Sequence, residues 1–187
     1  MIVKQFLLNV HEVNSFVVSC ATTRESMIVD AGDFDDRIAA YLHDNGLILT
    51  TIFITHDHYD HVDGVAEYVK RYAPDVISGT PSVGGCEAQV VKHGDRVAVG
   101  QRRGTVLSTP GHTPVGLSLA FSGHVFTGDA LFAGSVGGTG SSADYEMQNT
   151  AIRQHIFTLP PDTLVHTGHG PSTTVEIEKA HNPFFHF

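Results

Sequence analysis

Short apolar runs, cut by Gly, Asn and Pro, recur along the whole chain. Residues 14–20 (NSFVVSC) and 26–32 (SMIVDAG) are β-rich with turn residues between them, which predicts a hairpin. Residues 33–46 (DFDDRIAAYLHDNG) open with acidic groups, carry apolar Ile38, Ala39 and Leu42, and end on Asn45-Gly46. Start, face and stop signals of a helix are all present there. The run 48–55 (ILTTIFIT) predicts a buried strand, and 63–73 (DGVAEYVKRYA) a helix stopped before Pro74. Strands are also expected over 103–114, 115–121, 124–132 and 163–170, with an amphipathic helix over 144–160.

This interleaving predicts a layered α/β architecture, with residues 1–187 as one domain long enough to bury a core. At four places a predicted strand runs into a loop carrying His or Asp: after 55, 109, 127 and 167. Functional groups favour such loops at the ends of a rigid sheet.

Charge narrows the partners. A formal net charge of −9 with 11 Lys and Arg leaves no basic patch beyond Arg102-Arg103, so neither nucleic acid nor an anionic membrane surface is an expected partner. No run reaches membrane-spanning length. The first residues, MIVKQFLLNVHEVNSF, lack the apolar core of a secretion signal, so a cytoplasmic location is expected. Cys20 and Cys86 are then expected to be free thiols. A small-molecule substrate fits this profile, and oligomeric state is not legible.

The abnormal count is histidine, 13 of 187. In Thr55–His61, THDHYDH, His56 and His58 stand two apart where a strand exits, so their rings can converge, and Asp60 and His61 follow at the start of the next helix. At this chain's composition, chance supplies those four positions about 0.004 times. Helix capping accounts for one aspartate and none of the histidines. Imidazole and carboxylate at this density are a ligand supply for Zn²⁺ or a similar ion. His112 in TPGHTP, Asp129 in FTGDALF and His169 in HTGHGP each stand in a turn after a strand. Elsewhere, His43 falls in the last turn of a helix, His93 and His124 in turns, His155 on a helix face and His166 inside a strand; His11, His181 and His186 have no argued role.

Together these motifs, with Val29-Asp30-Ala31-Gly32 and Asn182-Pro183-Phe184, resemble the metallo-β-lactamase superfamily in its glyoxalase II-like branch. The resemblance implies a four-layer αββα sandwich with two divalent metal ions at one edge, Zn first, with Fe or Mn also accepted. One ion would be held by His56, His58 and His112, the other by Asp60, His61 and His169, with Asp129 and a hydroxide bridging them. Asp60 and Asp129 would be the catalytic carboxylates, and Asp30 would orient a ligand imidazole. The implied reaction is attack of the bridging hydroxide on a small thioester or similar acyl ester. Tyr59 and Tyr145 would either line the pocket or simply pack.

Two departures bear on the substrate. Glyoxalase II proper has a further helical domain that grips glutathione, which is not expected in a sequence of 187 residues. Relatives also commonly follow the bridging aspartate with Gly-Arg-x-Asp, whereas this chain has Gly137-Gly138-Thr139-Gly140. Without that guanidinium, 133–144 is expected to be a flexible loop and glutathione a poor fit. The competing readings are a mononuclear iron persulfide dioxygenase, a lactonase, and a metal-binding protein without turnover.

Overall fold

The computed structural model of the chain describes residues 1–185. In the first sheet β1 (Ile2–Leu7), β2 (Asn14–Ser19) and β3 (Glu25–Val29) pair antiparallel in succession. After α1 (Asp36–Asp44), β4 (Ile48–Phe53) joins parallel to β3. Then α2 (Tyr59–Val62) and α3 (Val65–Tyr72) lead to β5 (Asp75–Ser78), parallel to β4. A short hairpin, β6 (Ser82–Val83) and β7 (Cys86–Glu87), precedes β8 (Gln89–Val90) at the sheet's edge.

The second sheet begins as an antiparallel meander of β9 (Arg96–Val99), β10 (Arg102–Ser108), β11 (Leu117–Phe121) and β12 (His124–Gly128). Next come the hairpin β13 (Leu131–Phe132) and β14 (Ser135–Val136), then α4 (Ser142–Ala151). β15 (Leu164–Thr167) pairs parallel with β12, and β16 (Thr173–Thr174) closes the edge before α5 (Val175–His181).

Strands buried on both faces need apolar side chains at successive positions, and these have them. Phe16, Val18, Met27, Val29 and Phe53 of the first sheet interleave with Val97, Val106, Leu119 and Phe126 of the second. The alternate residues Val17, Ile28 and Ile52 point outward under Ile38 and Leu42 of α1 and Val65 and Tyr68 of α3. On the far side, Leu107, Val125 and Val165 lie with Ile152, Ile156 and Val175. The result is the expected αββα sandwich.

Local chemistry sets the element ends. Asp35 caps α1 by accepting the Arg37 amide at 2.7 Å, so the helix starts three residues later than the acidic run suggests. α3 stops at Ala73, left-handed at φ 51°, immediately before Pro74. Part of the THDHYDH motif is itself helical, as α2. The strand expected over 103–114 ends at Ser108, short of Pro110, which has no amide hydrogen to offer a ladder. The helix expected over 144–160 starts at Ser142 and loosens into a π-helical turn over Ile152–Ile156. His124, expected in a turn, is the first residue of β12. Cys20 and Cys86 are free. No helix among the described residues is long and apolar enough to cross a membrane.

This topology brings the polar loops to one end. β10 and β12 flank β11, which is antiparallel to both, so they run in the same direction, and β15 is parallel to β12. Their exits therefore share one end of the second sheet. Parallel β3 and β4 exit together from the first, at Asp30 and at Thr55-His56.

Candidate metal centre

The histidine motif converges as its spacing suggests. His56 Nε2 lies 3.1 Å from His58 Nδ1, which lies 2.9 Å from His112 Nε2. On the other side, His169 Nε2 is 3.2 Å from Asp60 Oδ2, and His61 Nε2 is 4.0 Å from the same oxygen. The Asp129 carboxylate stands between the two groups, 3.3 Å from His61 Nε2, 3.6 Å from His112 Nε2 and 3.5 Å from His169 Nε2. Three sets of ligand atoms thus gather closely enough to hold a metal ion: His56, His58 and His112; Asp60, His61 and His169; and His56, His61 and Asp129.

The far nitrogens show which ring atoms are free. His61 Nδ1 donates to Asp30 Oδ2 at 2.9 Å, and His112 Nδ1 donates to the Gly138 carbonyl at 2.7 Å. His56 Nδ1 contacts Thr55 Oγ1 at 3.0 Å, and that hydroxyl donates on to Asp30 Oδ2 at 2.8 Å. Asp30 also accepts the Thr55 amide at 2.8 Å. One buried carboxylate therefore orients His61 directly and His56 through a hydroxyl. With Nδ1 engaged as donor, the Nε2 atoms of His56, His61 and His112 keep their lone pairs for the centre.

Two observations test whether an ion suits this set. His61 Nε2 and Asp129 Oδ1 are buried without a hydrogen-bond partner, an arrangement that buried polar atoms rarely adopt unless something else fills the bond. The Nε2 atoms of His56 and His112 also both converge on His58 Nδ1 within about 3 Å, where a single His58 proton would have to be shared between two acceptors but one cation would serve all three rings. The donors, imidazole and carboxylate without thiolate, suit Zn, Fe or Mn.

Electrostatics agrees. Burial, and then the neighbouring His61, pushes His56 down to about 2. Burial would also push His61 down, but the carboxylates of Asp30 and Asp129 outweigh it and raise the imidazole to about 10. Asp129, which burial would raise, is brought down to about 2 by the adjacent His61 imidazole, 3.3 Å away, and its charge. A positive charge at this point is thus stabilised by the surrounding groups even where only a proton supplies it.

Each predicted ligand reaches the centre, and Asp30 supports it from behind. Tyr59 is exposed at the rim, its ring 6.3 Å from that of His11. His11, which had no argued role, lies 3.8 Å from Asp60 Oδ2. Tyr145 packs instead in the outer core with Phe184, its hydroxyl donating to the Phe184 carbonyl at 3.4 Å. The 133–144 segment differs from the flexible loop expected. It pairs as β14, and Gly138 grips His112. A Cβ on Gly137 would collide with the Asp129 carbonyl oxygen and lie 2.9 Å from His112 Nδ1, so close approach explains the glycine.

Sequence reasoning missed two supports. Thr55 stood inside the quoted motif without a role. Asn14, almost wholly buried, donates from Nδ2 to the Thr167 and Gly170 carbonyls at 3.0 and 2.8 Å, clamping the loop of His169. An NSF tripeptide opening a strand carries no signal for this. His166 is interior, as expected, with its ring stacked 4.7 Å from that of Phe126. His43 lies in the last turn of α1 and His155 on the π-helical turn, as expected, while His186 falls outside the described residues.

Comparison with known proteins agrees with this architecture. The family model described as the Metallo-beta-lactamase superfamily matches residues 8–83 and 89–169. A hydroxyacylglutathione hydrolase of Halorhodospira halophila is 35% identical over 164 residues, covering 86% of this chain but only 62% of that protein. The crystal structure of ETHE1 from Myxococcus xanthus superposes with a TM-score of 0.87 at 32% identity, covering 98% of this chain and 84% of that one. A structure of TTHA1623 in a di-iron-bound form gives a TM-score of 0.84 at 28% identity, covering 97% and 99%. The chain belongs to the metallo-beta-lactamase superfamily.

Proposed function

We propose that this chain is a metal-dependent hydrolase that uses two divalent ions to cleave a small thioester or similar acyl ester. The observation that carries the reading is Asp129, whose carboxylate stands within 3.6 Å of ring nitrogens from both groups of ligands. His56, His58 and His112 would hold one ion and Asp60, His61 and His169 the other, Asp129 serving both. Zn suits the donors best, with Fe or Mn as alternatives. The hydroxyacylglutathione hydrolase relative supports the ester class, and the di-iron-bound relative supports two ions. Free cysteines are consistent with a cytoplasmic location.

When bound, the ions supply an acidified water as nucleophile and a Lewis acid for the acyl oxygen. The chain's own part is orientation and proton placement. Asp30 keeps the His61 proton on Nδ1, and the Gly138 carbonyl does the same for His112. Asp60 faces the centre with a carboxylate that could take the proton of the attacking water, while Asp129 would stay ionised to serve the ions. A thiolate leaves without prior protonation, so no general acid is needed on the leaving side.

A second reading, a mononuclear iron persulfide dioxygenase, is favoured by the likeness to ETHE1. Elemental analysis of the purified protein beside thioester, lactone and glutathione persulfide assays separates the two. Two divalent ions per chain with thioester hydrolysis is the expected result. A single iron per chain, with oxygen uptake on the persulfide, would replace the hydrolase reading with the second one. Hydrolysis no faster than that of Asp129→Ala on every substrate would leave a binding protein.

A further inference from the structure

Gln148 of α4 has no exposed surface, yet its amide is not spent within its own helix. Nε2 donates to the Ala130 carbonyl and to the Gly137 carbonyl, both at 3.0 Å. Ala130 directly follows Asp129. Gly137 directly precedes Gly138, whose carbonyl accepts the His112 Nδ1 hydrogen. A Cβ on Gly111, the residue before His112, would collide with the Gln148 stem. One side chain therefore touches the segments that carry Asp129, His112 and the acceptor of His112. Its Oε1 has no partner, so the two N–H groups are the part of the amide that is used.

An apolar residue of the same length would fill this volume without burying an amide, which is costly unless the amide's hydrogen bonds are made. The two carbonyls explain why a glutamine is there. They also answer the question raised by Gly137-Gly138-Thr139-Gly140, which lacks the guanidinium that relatives commonly carry and is nonetheless well braced. We infer that Gln148 is a positioning residue that locks the Asp129 turn and the 137–138 segment together, and so fixes the imidazole of His112. This rests on the reading that His112 and Asp129 hold metal.

Without the amide, the Ala130 and Gly137 carbonyls lose their donor and the Gly138 carbonyl is free to turn. His112 Nδ1 then loses a fixed acceptor, and Nε2 is no longer held toward His56 and His58. The ion served by His112 should suffer most, and the one served by Asp60, His61 and His169, which shares only Asp129 with the braced segments, far less. Loss of a partner behind a ligand weakens metal binding by about tenfold to a hundredfold.

The test is zinc titration of metal-depleted protein against a chromophoric chelator for wild type, Gln148→Met and Gln148→Glu. Met147→Ala, on the exposed side of the same helix, is the control. Wild type and control should bind two ions; each Gln148 variant should weaken one affinity by about tenfold or more and the other by clearly less. Long-range ¹⁵N–¹H spectra should show His112 as a single Nδ1–H tautomer in wild type and as a mixture in the variants. Equal affinities in all four proteins, or parallel loss of both affinities in step with falling thermal stability, would overturn the inference. If neither Gln148 variant folds, the wild-type side-chain amide decides: slow exchange of both its hydrogens supports the lock, and rapid exchange overturns it. A wild type holding fewer than two ions would instead sink the dinuclear reading on which the inference stands.

Discussion

Asp30 and His61 form a buried carboxylate–imidazole pair, Oδ2 to Nδ1 at 2.9 Å, with the side chains 3% and 0% exposed. The pair points His61 Nε2 at Asp129, and Asp30 sits at φ 57°, a left-handed conformation that Asn also tolerates. Asp30→Asn should therefore keep the backbone while setting an amide N–H against the His61 N–H. Metal affinity on the His61 side should drop by about tenfold to a hundredfold. Chelator competition reads this, and an unchanged affinity would remove Asp30 from the centre's support.

Asn14 ties the first sheet to the loop of His169 through one buried and one partly buried hydrogen bond. Asn14→Ala leaves the Thr167 and Gly170 carbonyls without those donors, which should cost about 2–4 kcal/mol of stability. Urea unfolding of metal-depleted protein is the measurement. A loss under 0.5 kcal/mol, on the order of a neutral surface change, would mean that water replaces the amide freely.

His166 gives the fold a pH dependence away from the centre. Burial, and then His124, lowers its imidazole from 6.5 to about 4. The unfolded chain therefore binds more protons between those values, and stability rises with pH across that window. The contribution is complete above pH 6.5 and is lost as pH falls toward 4, with an upper bound of about 3 kcal/mol. His166→Phe, which keeps the stack on Phe126, should flatten the difference in stability between pH 7 and pH 4.5. Parallel pH curves for the two proteins would refute the assignment.

Gly137 and Gly138 should respond unequally to a methyl group. A Cβ on Gly137 meets Asp129 and His112, whereas on Gly138 it meets nothing within 4 Å. Gly137→Ala should reduce zinc affinity by about tenfold or more and Gly138→Ala by less than about twofold. Equal effects in the titration would show that the segment moves as a whole.

The candidate ligands were legible because coordination would demand particular side chains, and the ends of strands put them in short polar turns. His56, His58, Asp60 and His61 could be read from one heptapeptide. The inner strands were legible for a similar reason, since burial on both faces writes a continuous apolar run. β1 was not, because its exposed Ile2 and Leu7 mix with polar residues at an edge. Thr55, Asn14 and Gln148 carry no signature either. A hydroxyl or amide can bond almost anything, and only the fold decides what lies opposite. The glycine segment misled for the opposite reason: glycines suggest slack in a sequence, and here they permit close packing.

The centre draws its ligands from both halves of the sandwich, His56, His58, Asp60 and His61 after β4 and His112, Asp129 and His169 from the second sheet. Ions held by these residues would also clasp together two sheets that each have their own strand ladder. At this edge the Asn14 amide donates to the Gly168 carbonyl and the Leu117 amide to the Thr55 carbonyl, so bound ions would reinforce a junction that the backbone begins. Stripping such ions should loosen this edge while the inter-sheet core around Phe53 and Phe126 stays closed.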